Sequence, residues 1–118
     1  NIFCSNESVD IYNPKVVRSA MGGHFHIENL FQLDIVDILK DLKSQGSTLI
    51  AATLDGIGHK EFKISSKSWA LILGNEAHGI RKDFIQDVDE KICIPSLGNL
   101  DSLNVAVAGS ILLDRLID

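Results

Sequence analysis

Two short stretches of the chain, "TLIAATL" at 48–54 and "WALILG" at 69–74, are almost continuously apolar, the pattern of strands covered on both faces. "EKICIP" at 90–95 reads as a further buried strand ended by Pro95, and the chain opens on an apolar stretch, "NIFC", that reads as another. Between them the period lengthens to that of a helix. In "IENLFQLDIVDILKDLKSQG", residues 27–46, Leu33, Val36, Leu39 and Leu42 recur three apart, Ile35 and Ile38 widen the stripe, and Gly46 supplies the stop. This pattern predicts one amphipathic helix. Asn13 and Pro14 read as the cap and first turn of a short helix, "PKVVRSAM", halted by Gly22 and Gly23. "RKDFIQDV" can form a short helix, Leu103 to Ile117 a final one, and the polar, Gly-bearing "DGIGHKEFKISSKS" is a loop. Strands alternating with helices predict an α/β fold, a mostly parallel sheet flanked by helices.

In such sheets ligands bind beyond the carboxyl ends of the strands. Three strand ends carry unusual loops: "TLDGIG" at 53–58, "GNEAHGI" at 74–80 and "PSLGNLDSLN" at 95–104. Their convergence would form one pocket. The final helix begins with Ala106, Ala108, Gly109 and Ser110 where a core normally takes larger residues. A glycine inside a helix costs about 1 kcal/mol relative to alanine, so backbone, ligand or another chain is expected to come very close there.

The length of 118 residues, with 45% apolar and 23% charged side chains, suits one globular domain, residues 1–118. Because the chain starts at Asn1 rather than Met, directly on a strand, it reads as N-terminally incomplete. Net charge is −5, against a general electrostatic affinity for nucleic acid but compatible with a local basic patch. Cys4 and Cys93 have no ligand-like spacing and read as buried free thiols of a reducing compartment. No apolar run reaches the roughly 18 residues of a membrane span.

The loops contain neither GxxxxGK[ST] nor a complete GxGxxG, which disfavours nucleoside triphosphate binding. No GxSxG elbow marks Ser96 or Ser102 as an acyl nucleophile, and Ser102 or Asp101 reads as the cap of the final helix. His24 and His26 form an HxH pair without a second pair to complete a zinc site, so no metal is expected. Glu76 beside His78 is either an acid/base pair or, with Glu76 holding loop N–H groups, a piece of scaffolding.

"LILGNEAHGI", followed by "ICIPSLGNLDSLNVAVAGSILL", resembles the second and third motifs of the SpoU family of RNA 2′-O-ribose methyltransferases, within the knotted SPOUT superfamily. "YNPKVVRSAMGGHFHI" is similar to the family's segment just after its first motif, so the resemblance runs from about Val9 to Leu116. It implies a C-terminal deep trefoil knot whose loops hold S-adenosylmethionine in a bent shape, mostly through backbone groups. The implied cofactor contacts are Leu73, Gly74 and Asn75, then Ile94, Pro95 and Leu103, with Thr53 and Leu54 at the neighbouring strand end. Glu76, Ser102 and Asn104 are implied to line the site as the catalytic set. Arg18 is a candidate for gripping an RNA phosphate through its bidentate fork, with Arg81 and Lys82 extending the patch.

On this resemblance the partner is tRNA or rRNA, the assembly a homodimer built partly on the final helices, and the location cytoplasmic. The family's first motif, with its Asn and Arg, lies before the segment where this chain begins. A non-catalytic dimeric RNA-binding or assembly module that kept the fold is the rival reading, and an unknotted doubly wound nucleotide-binding domain a weaker third.

Overall fold

The computed structural model describes residues 1–96, 98 and 102–117, and the chain divides into two compact units, Asn1–Lys40 and Asp41–Asp118. In the first, strand β1 (Ile2–Ser5) pairs in parallel with β2 (Leu30–Leu33), Ile2 opposite Leu30 and Ser5 opposite Leu33. Between them lie helix α1 (Pro14–Ser19) and a single 3₁₀ turn, Gly23–Phe25. Asn13 caps α1 as expected, its side-chain oxygen accepting from the Lys15 N–H at 2.9 Å, with Pro14 in the first turn.

The single helix expected over 27–46 is a strand followed by a helix. Residues 30–33 satisfy their backbone groups on β1 instead of within a helix, and α2 starts only at Ile35, running to Ser44. The Asp34 carboxylate accepts from the Val36 N–H at 3.0 Å, turning the chain between the two. Leu33, at the head of the helical stripe in the sequence, instead pairs with Ser5 as part of the strand.

The second unit is a three-stranded parallel sheet in the order β4–β3–β5, formed by Trp69–Ile72, Thr48–Gly58 and Glu90–Cys93. The short α3 (Lys82–Ile85) precedes β5, and α4 (Val105–Ile117) ends the described chain. Ile50 of the central strand and Ile92 of β5 are fully buried, and Leu112 and Leu116 of α4 pack onto them with Phe62. Each such side chain contributes on the order of 1.5–3 kcal/mol by leaving water. Ala52, Trp69, Leu71 and Ile94 surround this cluster.

The start of β3 is fixed by Asp89, which exchanges two bonds with Leu49: its carboxylate accepts from the Leu49 N–H at 2.8 Å, and its own N–H donates to the Leu49 carbonyl at 2.9 Å. Lys43 closes the corner, reaching the Asp89 carboxylate at 3.0 Å and the Asp87 carbonyl at 2.6 Å. The other end of β3 departs from expectation. Instead of stopping at Leu54 the strand continues to Gly58, and its pairing with β5 slips: Ala52 and Ile57 both stand opposite Ile92, so residues 53–56 bulge out of the ladder.

Candidate functional site

Because β4, β3 and β5 are parallel, the loops following Ile72 and Cys93 and the bulge at 53–56 all leave the same, carboxyl edge of the sheet. The bulge is held down by its glycine. A Cβ on Gly56 would lie 2.6 Å from the Ile92 backbone nitrogen, and the Cys93 thiol donates to the Gly56 carbonyl at 3.1 Å. Leu54 is carried outward on this bulge and is 79% exposed, whereas the Thr53 hydroxyl is buried. It has no partner at hydrogen-bond geometry, although together with Lys91 it holds the Asp55 carboxyl below its usual range.

The 74–80 loop closes on itself. Asn75 and Gly79 exchange backbone bonds at 3.0 and 2.7 Å, and the Asn75 side-chain oxygen accepts from the Ala77 and His78 N–H groups. Gly79 sits at φ +67, and a Cβ on Gly74 would lie 2.3 Å from the Gly79 carbonyl carbon. Both glycines are therefore required by the loop itself: one for its left-handed conformation, the other for the approach of two backbone segments.

Glu76 points from this loop to the start of α4. Its Oε1 accepts from the Asn104 side-chain amide at 2.8 Å and from the Val105 N–H at 3.3 Å. Asn104 in turn caps α4, its Oδ1 accepting from the Ala106 and Val107 N–H groups at 2.9 and 3.3 Å. The cap is thus Asn104 and not Ser102, which is exposed; Asp101, the other expected cap, lies outside the described residues. One carboxylate and one amide fasten two loops together and satisfy three of the amides at the helix start. Of the two readings of Glu76, the contacts are those of the residue that holds N–H groups; its carboxylate faces Asn104 and Val105.

The small residues of α4 have a specific local cause at one position. Gly109 is buried, and a Cβ there would lie 2.8 Å from Leu73 Cδ1, so the glycine seats the side chain that follows β4. Leu73 remains 39% exposed at that seat and Leu103 is 41% exposed just before the helix. Ile94 packs on the core cluster, and Pro95 is exposed beside it. At the far end of α4, Arg115 donates to the carbonyls of His59 and Phe62 at 3.1 and 3.2 Å, tying the helix to the turn after the bulge. Sequence reasoning passed over this arginine, and no motif marks it.

Arg81 forks onto Asp83 at 3.1 and 2.6 Å, its guanidinium carbon 4.5 Å from the centre of the Phe84 ring. This pairing, foremost, holds the Asp83 carboxyl below its usual range. The expected phosphate contact through Arg81 would therefore have to displace Asp83. Arg18 belongs to the first unit and is exposed on α1. Among the described residues no group of three or more His, Cys, Asp or Glu is placed to hold a metal ion; His24 bonds instead to the Ile11 carbonyl at 2.6 Å. Cys4 and Cys93 are free, and burial pushes the Cys4 thiol up.

Comparison with known proteins places this geometry in context. Residues 1–114 match the SpoU rRNA Methylase family. The 23S rRNA (guanosine(2553)-2′-O)-methyltransferase RlmP of Bacillus subtilis is 36% identical over 110 residues, 92% of this chain and 44% of that protein. The tRNA (guanosine(18)-2′-O)-methyltransferase of Aquifex aeolicus is 34% identical over 80 residues, 66% of this chain and 37% of that protein. The crystal structure of an AdoMet-bound rRNA methyltransferase from Sinorhizobium meliloti superposes with a TM-score of 0.89 at 28% identity, covering 98% of this chain and 44% of that one. The chain thus spans less than half the length of these relatives.

Proposed function

Because the chain belongs to the SpoU rRNA Methylase family, we propose that the protein it comes from transfers a methyl group from S-adenosylmethionine to a ribose 2′-hydroxyl of rRNA or tRNA. The observation that carries this reading is the clasp from Glu76 to Asn104 and Val105, which joins two of the three loops at the carboxyl edge of the sheet. The names of the relatives, all transferases where a reaction is given, favour transfer over a binding module that has lost its chemistry.

The local features fit such a cofactor. The Thr53 hydroxyl is buried at this edge, Gly56 and Gly74 keep side chains out of the loops, and Leu54, Leu73 and Leu103 expose apolar surface where an adenosine would be walled in. Ile94 and Pro95 supply the wall beyond β5, and Asn75 keeps the 74–80 loop in the shape that presents its backbone. When bound, S-adenosylmethionine supplies a methyl group on a sulfonium, which needs no metal to activate it. The task of the chain is to exclude water and orient the reactants. Glu76 and Asn104 hold the loops in register, and Ser102, exposed before α4, is available to the nucleotide.

The finer expectations rest on the same reading. The trefoil knot rests on membership of the SpoU rRNA Methylase family. A homodimer built on α4 is supported by the exposed apolar side chains Val107, Ile111, Leu113 and Ile117 along it. Arg18 and Arg81 are the proposed RNA contacts. Free cysteines accord with a cytoplasmic, reducing location, and among the described residues no helix is long and apolar enough to cross a membrane. The test is incubation of the complete protein with methyl-labelled S-adenosylmethionine and unmodified rRNA or tRNA, followed by digestion to nucleosides and mass spectrometry. A 2′-O-methylated nucleoside is expected; label confined to a base, or none, contradicts the proposal.

A further inference from the structure

Residues 53–56 bulge out of the β3–β5 ladder, without the pairing that fixes the rest of β3, and the bulge carries Leu54 outward into solvent. Other contacts must set its shape. Two of them are weak. The Cys93 thiol is a poor donor to the Gly56 carbonyl, and the 3.2 Å ion pair between Lys91 and Asp55 lies at the surface, where such pairs contribute little.

The stronger tie comes from α4. The chain leaves β3 through a tight turn in which the Gly58 carbonyl accepts from the Glu61 and Phe62 N–H groups, both at 2.9 Å. Phe62 is buried in the core cluster with Leu112 and Leu116 of α4. Arg115, which lies between those two leucines in the sequence, directs its half-buried guanidinium at the carbonyls of His59 and Phe62. A charged donor makes hydrogen bonds roughly twice as strong as a neutral one. His59, the first residue after β3, is thereby held on both sides: its N–H donates to the Cys93 carbonyl of β5 at 2.8 Å, and its own carbonyl accepts from Arg115.

We propose that Arg115 is a positioning residue for the cofactor: by fixing the turn after β3 it holds the 53–58 segment in the shape that takes S-adenosylmethionine. The inference rests on the proposed function and adds to it a residue outside the three loops. Helix α4 then serves two sides of the site, its start holding the 74–80 loop through Glu76 and its far end holding the bulge through Arg115. Because the arginine acts through the turn and not on the reacting atoms, its loss lowers cofactor affinity and leaves the methyl-transfer step unchanged.

The test uses the complete protein and measures S-adenosylmethionine affinity by calorimetry, beside KM and kcat for methyl transfer to unmodified rRNA or tRNA, at a temperature well below the Tm of every variant. Arg115→Met keeps the apolar stem and loses the fork, whereas Arg115→Lys keeps the charge and can reach one carbonyl. In Arg115→Met the Kd and KM for S-adenosylmethionine are expected to rise about tenfold, the scale of a lost charge-assisted tie, with kcat within about twofold and faster amide exchange at His59 and Phe62. Arg115→Lys is expected to recover part of that affinity, leaving a rise of about threefold. If Arg115→Met does not fold, Arg115→Lys decides alone: the threefold rise supports the role and unchanged affinity overturns it. A tie that serves stability only would lower Tm and the active fraction, hence the apparent kcat, with KM unchanged, and that result overturns the positioning role. A wild type that binds no S-adenosylmethionine overturns the proposed function and this inference together, whereas equal binding and transfer by wild type and Arg115→Met overturns the inference alone.

Discussion

Replacing Glu76 with alanine should loosen the start of α4 without unfolding the sheet beneath it. The carboxylate accepts two hydrogen bonds there, at 2.8 Å from Asn104 and 3.3 Å from Val105. Both lie at the surface, where a net contribution near the low end of 0.5–1.5 kcal/mol each applies, so the pair amounts to about 1 kcal/mol. That corresponds to a fall in Tm of about 3–5 °C for a chain of this size and, for the Val105 amide, to exchange about fivefold faster. Asn104→Ala removes the cap and should cost about 1 kcal/mol, its exchange signature moving to Ala106 and Val107, the amides it accepts from. Glu76→Gln keeps the acceptor and gives up only the charge near a helix N-terminus, so it should retain most of the protection. Hydrogen exchange resolved at residues 105–107, with methyl transfer measured on the same variants, is the assay. Unchanged Val105 exchange in Glu76→Ala would refute the fastening role. Loss of transfer in Glu76→Gln with α4 protection intact would instead make the carboxylate a direct participant in chemistry.

Two glycines should respond oppositely to alanine. Gly74→Ala drives a Cβ into the Gly79–Ile80 peptide and should cost on the order of 1–3 kcal/mol with loss of cofactor affinity, whereas Gly109→Ala meets only the movable end of Leu73 and should be nearly neutral; thermal melts with and without S-adenosylmethionine distinguish them. Asp89 predicts an acid limb to stability. Its carboxyl is held below its usual range, first by the Leu49 N–H and then by Lys43, against the opposing effect of burial. A depressed folded pKa stabilises above the unfolded value of about 4 and is lost as pH falls through the folded one. Urea unfolding at about pH 6 and about pH 3 should therefore show a smaller acid-induced loss in Asp89→Asn than in wild type, since the variant no longer has the linked group.

Strand positions in the second unit were legible because β3, β4 and β5 are short apolar runs bounded by polar segments. Their parallel pairing followed from the alternation with helices. The 27–46 stretch was not legible as strand then helix, since Leu33, Val36, Leu39 and Leu42 satisfy a helical period and the decisive fact, pairing of residues 30–33 with β1, is a long-range contact. Asp34 was the local clue: a short acid placed to take the Val36 N–H. The bulge at 53–56 was equally hidden. "DGIG" announces a loop, but only the slip in register makes Gly56 a point where two backbones touch. In the candidate site, the sequence singled out the loop residues Gly74, Glu76 and Asn104, while their division of labour emerged only from distances. The cap moved from Ser102 to Asn104, and Arg81 proved to be engaged with Asp83.

The account stands most directly on cofactor binding by the loops at the carboxyl edge of the 41–118 unit. Calorimetric titration of S-adenosylmethionine into the complete protein, beside Leu103→Arg, measures it. Leu103 is 41% exposed, so the substitution leaves the core untouched while placing a bulky cation at the start of α4. Saturable binding, one molecule per chain, that Leu103→Arg abolishes in a folded protein is the predicted result. Absence of binding by the wild type, or binding that Leu103→Arg leaves unchanged, would contradict the assignment of the cofactor to these loops.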